Sequence, residues 1–152
     1  MTVVNNCTLP DDLFFSVEDN VWMRDLGNGV IELGMTDIAQ TMAGSIIHCR
    51  PKKAGSSAKK GKSIATVESG KWVGPVKAPF DGEIVERNEA VEKDAKIINK
   101  SPYKAGWIVR MKPADANVLQ AMKKSDEAGP AFDAYMKANN VQGCIHCEGY
   151  EE

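Results

Sequence analysis

The chain has 152 residues, 43% of them hydrophobic and 26% charged, enough to bury the core of one ordinary domain without staples. Its formal net charge of −2 argues against nucleic-acid binding, which needs a basic surplus to neutralise phosphates. No apolar run approaches a membrane span, and the start, Met1-Thr2-Val3-Val4-Asn5-Asn6-Cys7, lacks the basic and apolar stretches of a signal peptide, so a cytoplasmic location is expected.

Residues 1–17 read as a loosely docked N-terminal extension. From Val21 to Lys112 short apolar segments alternate with glycines, and little of the sequence has helical period. Expected strands are Val21–Arg24, Gly29–Gly34, Ser45–Cys49, Ser63–Glu68, Val73–Ala78, Gly82–Arg87 and Trp107–Met111. Asn28-Gly29 signals a two-residue hairpin turn, because both positions tolerate positive φ. Thr36 to Gly44 reads as one or two helical turns, capped by Thr36, with Ile38 and Met42 on one face and Gly44 as the stop. Many short strands at close spacing predict a mainly β domain over residues 18–113, a compact sandwich or barrel.

Gly44-Ser45-Ile46-Ile47 and Gly82-Glu83-Ile84-Val85 share a glycine followed by an apolar pair, an internal echo that suggests two related β-units joined through Lys71. The segment Arg50 to Lys62 is rich in Lys, Gly and Ser and is expected to be mobile and solvated. Beyond Pro113, Val118, Leu119 and Met122 share a helical face, as do Phe132, Tyr135 and Met136 after Pro130. Two short C-terminal helices are therefore expected over residues 114–142, the first from Asp115 or Asn117. Residues 143–152 form a cysteine-containing tail without core periodicity.

Few residues offer chemistry. No Ser/His/Asp or paired-carboxylate constellation is visible, so no catalytic residue is assigned. Cys144-Ile145-His146-Cys147 is a lone C-x-x-C, a weak zinc signal. The two further ligands would have to come from Cys7, His48 or Cys49 on a folded-back tail, and no metal site is assigned. In a reducing compartment the four cysteines are expected as thiols, metal ligands or redox groups, not structural disulfides; the candidates for a thiol or redox role are Cys49, Cys144 and Cys147. Trp22 and Trp107 read as core aromatics, and Trp72 as a contact for a partner. Lys71, in Val67-Glu68-Ser69-Gly70-Lys71-Trp72-Val73, stands between two strand-like runs at what reads as a hairpin tip, a poor place for catalysis but a good one for attachment.

These words resemble the glycine cleavage H-protein family. The likeness runs from about Val21 to Pro113 and rests on Gly29–Gln40, Lys60-Gly61-Lys62-Ser63, Val67–Lys71, Pro79–Val85, Asn88-Glu89-Ala90-Val91, Ser101-Pro102-Tyr103 and Gly106-Trp107-Ile108. It implies a barrel-sandwich hybrid of two antiparallel sheets with lipoate covalently bound to Lys71, and Glu68 and Gly82 helping a lipoate ligase or lipoyl transferase to recognise the hairpin. Two departures stand out. Val21 precedes Trp22 where the glycine-cleaving version has histidine, and Trp72-Val73-Gly74-Pro75 follows the lysine where small residues are usual. With the words around Asp37–Cys49 and Gly70–Pro79, they bring the chain closest to the H-protein-like lipoate-binding proteins of sulfur oxidation. That likeness implies a monomeric shuttle of sulfur intermediates between sulfur-transfer proteins and a heterodisulfide-reductase-like complex, with the cysteine thiols available to a dihydrolipoyl group. The alternatives are an aminomethyl carrier serving glycine decarboxylase, aminomethyltransferase and dihydrolipoyl dehydrogenase, and a thiol or metal-binding module without lipoate. A biotin carrier would have methionines flanking the lysine, where this chain has Gly70 and Trp72.

Overall fold

A computed structural model describes all of residues 1–152. Its strands are β1 (Thr2–Val4), β2 (Cys7–Leu9), β3 (Phe14–Ser16), β4 (Val21–Asp25), β5 (Ile31–Met35), β6 (Ile46–Pro51), β7 (Ser57–Ala58), β8 (Ser63–Ser69), β9 (Val73–Lys77), β10 (Gly82–Arg87), β11 (Val109–Pro113) and β12 (Lys123–Lys124). The helices are α1 (Asp37–Ala43), α2 (Glu89–Lys93), α3 (Lys96–Lys100) and α4 (Ser125–Ala138), with a 3-10 turn over Val118–Ala121. The fold is mainly β. A seven-stranded antiparallel sheet runs β12-β3-β4-β5-β11-β10-β7, a three-stranded sheet runs β6-β8-β9, and β1 and β2 form a separate ribbon.

Leu33, Ile84 and Met111 from the larger sheet and Ile46, Ile64 and Val67 from the smaller belong to one buried cluster. A second cluster lies on the other side of β4. Trp22 points into it beside Phe15, Ile38, Tyr103 and Phe132, whereas Val21 and Met23 belong to the first cluster. This is the strand period of two at work, with α4 and the N-terminal ribbon covering a face that would otherwise be wet. Gly34 is the necessary partner of Trp22, since a Cβ there would fall 2.6 Å from the indole Nε1.

Several expectations change. Residues 1–17 carry three strands, and β3 is hydrogen-bonded into the larger sheet between β12 and β4. The β4–β5 hairpin closes from Leu26 to Val30 instead of over two residues, with positive φ at Gly27 and Gly29. The Arg50–Lys62 segment is tied down: Gly55 N donates to Ile84 O at 2.7 Å, Ile84 N to Ser56 O at 2.9 Å, and Lys60 N to the Asp81 carboxylate at 2.7 Å. The first C-terminal helix is only the 3-10 turn. The second begins well before Pro130, because burying Ala128, Phe132 and Met136 on one face outweighs the lost Pro130 hydrogen bond. The internal echo has a structural counterpart: β6 shifts register between Ile46 and His48, and β10 between the equivalent Ile84 and Glu86.

The Lys71 hairpin and its surroundings

β8 is the central strand of the smaller sheet and is fixed in the core by Ile64 and Val67. It pairs with β9 through Glu68 and Val73, and Ser69 N donates to Trp72 O at 2.8 Å. Gly70 and Lys71 are thus the two central residues of a tight turn, which Ser69 Oγ braces by accepting from Lys71 N at 3.3 Å. The Lys71 side chain is exposed and takes part in no ion pair. It leans on Gly44, the residue that ends α1, where a Cβ would come within 2.8 Å of Cε. The φ of +79° at Gly44 also favours glycine.

Trp72 folds its ring over Gly74, a position with no room for a Cβ, and remains 39% exposed. It forms one wall of a cleft of about 290 Å³ lined by Met35, Ala39, Met42 and Val76, with Asp19 at its edge. Burial pushes the Asp19 carboxyl above its ordinary value, against the opposing hydrogen bond from Ser16. Glu68 is exposed beside the tip, opposite His48 on β6 and Val73 on β9. Gly82 lies in the other sheet between Ala58 and Pro113; a Cβ there would press on the Lys112 carbonyl at 2.5 Å, which gives this glycine a packing reason of its own. Trp22 is buried and donates to Pro102 O at 2.8 Å. Trp107 departs from expectation: it is half-buried, with the Arg110 guanidinium stacked 4.0 Å from its ring centroid.

The cysteines are corrected most. Cys49 is buried on β6, and desolvation, aided by the Glu92 charge, pushes its thiol up to about 12, so it is not an available thiolate. Cys144 forms a disulfide with Cys7, their Cα atoms 4.9 Å apart, because the tail folds back across α1 to the N-terminal ribbon. Cys147 is free and exposed. The Cys7 and Cys144 sulfurs and an Asp37 oxygen lie within 4.8 Å of one another, but the two sulfurs are bonded together and not free as ligands.

The docked tail is held at several points. Asp37, fully buried at the start of α1, accepts from Thr8 N at 2.9 Å and Gln40 Nε2 at 2.9 Å, and meets His146 Nε2 at 2.7 Å. His146 stacks on Tyr150 with centroids 3.7 Å apart, and the Tyr150 hydroxyl shares a hydrogen with Thr8 Oγ1 at 2.7 Å. Ile145 N donates to Thr41 Oγ1 at 3.1 Å, and Gln40 Nε2 to Ile145 O at 3.0 Å. This network was missed in the sequence because its members are far apart; the one local trace is Asp37 directly after the capping Thr36.

The family model described as "Glycine cleavage H-protein" matches residues 13–133. The "Glycine cleavage system H protein 2" of Aquifex aeolicus is 42% identical over 136 residues, covering 89% of this chain and 84% of that one. The "Probable glycine cleavage system H protein 2" of Sulfurisphaera tokodaii is 47% identical over 144 residues, 93% of this chain and 97% of the relative. A crystal structure of a glycine cleavage system H protein from Mycobacterium marinum superposes with a TM-score of 0.70 at 26% identity, covering 87% of this chain and 99% of that one. The chain belongs to the glycine cleavage H-protein family.

Proposed function

We propose that this chain is a lipoyl carrier and not itself an enzyme, with lipoate joined by an amide to Nζ of Lys71. The observation that carries this reading is the placement of Lys71: exposed, free of ion pairs, and central in a tight turn on a strand anchored in the core. The apolar cleft beside Trp72 has the size and lining to receive a short acyl arm. When bound, the group supplies a dithiolane that takes up cargo at one partner and gives it up at another. The chain holds the base of the arm still and so raises its local concentration at each docked enzyme. Glu68, beside the tip, and Gly82, the first residue of β10, belong to the surface that a lipoate ligase or lipoyl transferase reads. A cytoplasmic, monomeric carrier goes with this reading.

For the cargo, the names of the relatives support the aminomethyl group of glycine cleavage, with glycine decarboxylase, aminomethyltransferase and dihydrolipoyl dehydrogenase as partners. The second reading is a sulfur shuttle to a heterodisulfide-reductase-like complex. It is favoured by Trp72 as a wall of the arm's cleft and by the buried Val21 before Trp22, where the glycine-cleaving version has histidine. In Aquifex aeolicus the relatives are numbered 2, 3 and 5, which leaves room for more than one cargo among such chains.

The test is intact mass after expression with a lipoylating enzyme and lipoate. Wild type gains the lipoyl mass and Lys71→Arg does not, with an unchanged melting curve; an unmodified wild type refutes the carrier reading. Carbon dioxide release from glycine with glycine decarboxylase then supports the aminomethyl cargo. Its absence, with sulfur adducts on the reduced arm, selects the sulfur reading.

A further inference from the structure

Helix α1 joins the two unusual places in the molecule. Its C-terminal stop, Gly44, carries the Lys71 side chain, and its first residue, Asp37, has a carboxylate oxygen within 4.8 Å of both sulfurs of the Cys7–Cys144 disulfide. At 1.5 Å of rise per residue, the two ends are about 11 Å apart. Thr41 and Gln40, between these ends, hold the tail through Ile145. An eight-carbon acyl arm on Lys71, laid along α1, spans a comparable distance. From the same base, the arm therefore has the disulfide at one reach and the apolar cleft at another.

We propose that the Cys7–Cys144 disulfide is a thiol–disulfide exchange site for the dithiol end of the arm carried by Lys71. The proposal rests on the lipoyl reading and extends it to a second, covalent chemistry within one molecule.

Both cysteines are buried, and Cys144 is the one that local opening of the tail uncovers. It is 5% exposed against 0% for Cys7, and it sits in a tail without helix or strand. The next residue, Ile145, is 74% exposed, so opening this segment uncovers little further apolar surface. Ile145 is held to α1 by two hydrogen bonds, and Cys144 to the ribbon by two more, its N–H donating to Asn5 O at 3.0 Å and its carbonyl accepting from Asn6 Nδ2 at 3.0 Å; release of these four lifts the backbone off the bond.

The exchange balances without an outside oxidant. One arm thiolate attacks Cys144 Sγ, the Cys7–Cys144 bond breaks, and Cys7 leaves as a thiolate that takes up a proton. The second arm thiol then attacks the first arm sulfur, the bond to Cys144 breaks, and Cys144 leaves as a thiolate that is protonated in turn. Two electrons pass from the arm to the protein cysteines, and both protons lost by the arm end on Cys7 and Cys144. The reverse sequence reoxidises the tail and reduces the arm. Cys49 takes no part, being buried and held as a thiol. Reduction also removes the covalent tie that keeps His146 against Asp37, so the redox state of the arm is registered in the order of the tail.

The experiment uses lipoylated full-length protein, isolated oxidised, together with the Lys71→Arg variant. Each is incubated anaerobically with NADH and a trace of dihydrolipoyl dehydrogenase, an enzyme too large to reach a disulfide beneath the tail. Exchange is stopped by acid, the precipitated protein is redissolved in denaturant at neutral pH with excess alkylating agent, and the labelled thiols are mapped by peptide mass. The expected result is labelling of Cys7 and Cys144 in the lipoylated protein, at a rate independent of protein concentration, and at least tenfold less labelling in Lys71→Arg. A reduced, labelled arm beside an intact Cys7–Cys144 bond overturns this proposal and leaves the carrier reading standing. Equal labelling in Lys71→Arg overturns it too, and so does protein isolated with both cysteines already free, with or without a metal. Protein that takes up no lipoyl mass overturns both readings.

Discussion

Asp37 is the junction where the N-terminal ribbon, α1 and the tail meet, and replacing it tests whether that junction is as costly to break as its geometry implies. Its carboxylate is fully buried and serves the backbone N–H of Thr8, the Gln40 amide and the His146 ring. Asp37→Ala strands the Thr8 N–H in a dry site, since β1 is the only strand paired with β2 and nothing replaces the lost acceptor. Gln40 suffers less, because its amide also reaches Thr41 Oγ1 and Ile145 O. One orphaned buried donor, two lost charge-assisted bonds and a small cavity together give a loss of about 3–5 kcal/mol. Asp37→Asn keeps the shape and one accepting oxygen but sets an amide against Gln40, for a loss of about 1–2 kcal/mol. Urea unfolding followed by far-ultraviolet circular dichroism is the assay. With a slope of about 2 kcal/mol per molar, the midpoint should fall by roughly 2 M for Asp37→Ala and by less than 1 M for Asp37→Asn. A midpoint for Asp37→Ala within about 0.5 M of wild type, at the same slope of about 2 kcal/mol per molar, would refute the idea that this buried carboxylate ties the three segments together.

Gly34→Ala drives a methyl into the Trp22 indole and should cost about 1–3 kcal/mol, read as a lower melting temperature with altered tryptophan fluorescence. The Cys49 thiol should resist iodoacetamide at mild alkaline pH in the folded protein while Cys147 reacts. Cys49 stays protonated in the fold up to about 12, whereas the ordinary value is 9.0, so the folded state holds the extra proton between these values. Its contribution to stability is therefore fully present below that window and is lost as pH rises through it, visible as a falling unfolding midpoint that Cys49→Ala should flatten. Replacing both Cys7 and Cys144 by alanine releases a loop closed across a sequence separation of 137 residues. Chain entropy puts the loss at about 5 kcal/mol, and chemically reduced wild type should approach the same urea midpoint.

What the sequence made legible is what local pattern controls. The strand runs around Val21, Ser63 and Gly82, and the helix from Thr36 to Gly44, follow from apolar spacing, a threonine cap and a stopping glycine, and each is found within a residue or two. The Lys71 turn is equally local: flanking strands and a glycine define it. The short helices α2 and α3 escaped notice because five residues are too few to display a period. The Asn88 side chain caps α2 at Ala90 N, a signal that a closer reading of Asn88-Glu89-Ala90-Val91 could have used. The strands of the first seventeen residues and the tail were illegible for a different reason. Their partners are distant in the chain, as Phe14 and Phe15 pair with Lys124 and Lys123, and Cys7 with Cys144. Trp107 was misjudged because alternation marks a face as covered without saying whether apolar groups or a guanidinium cover it.

Synthesis runs in one direction, and the Cys7–Cys144 bond spans 137 positions of it. At typical elongation speeds of about 5–20 residues per second, Cys7 waits roughly 7 to 27 seconds for its partner to be made. During that interval the ribbon strand holding Cys7, the Thr8 N–H and the start of α1 have no tail to close over them. A nascent chain thus presents an unpaired thiol beside a buried-to-be carboxylate until its final segment arrives. Closure of this junction is consequently a late event, set by the arrival of the tail from Gly143 and not by the β-core that bears Lys71.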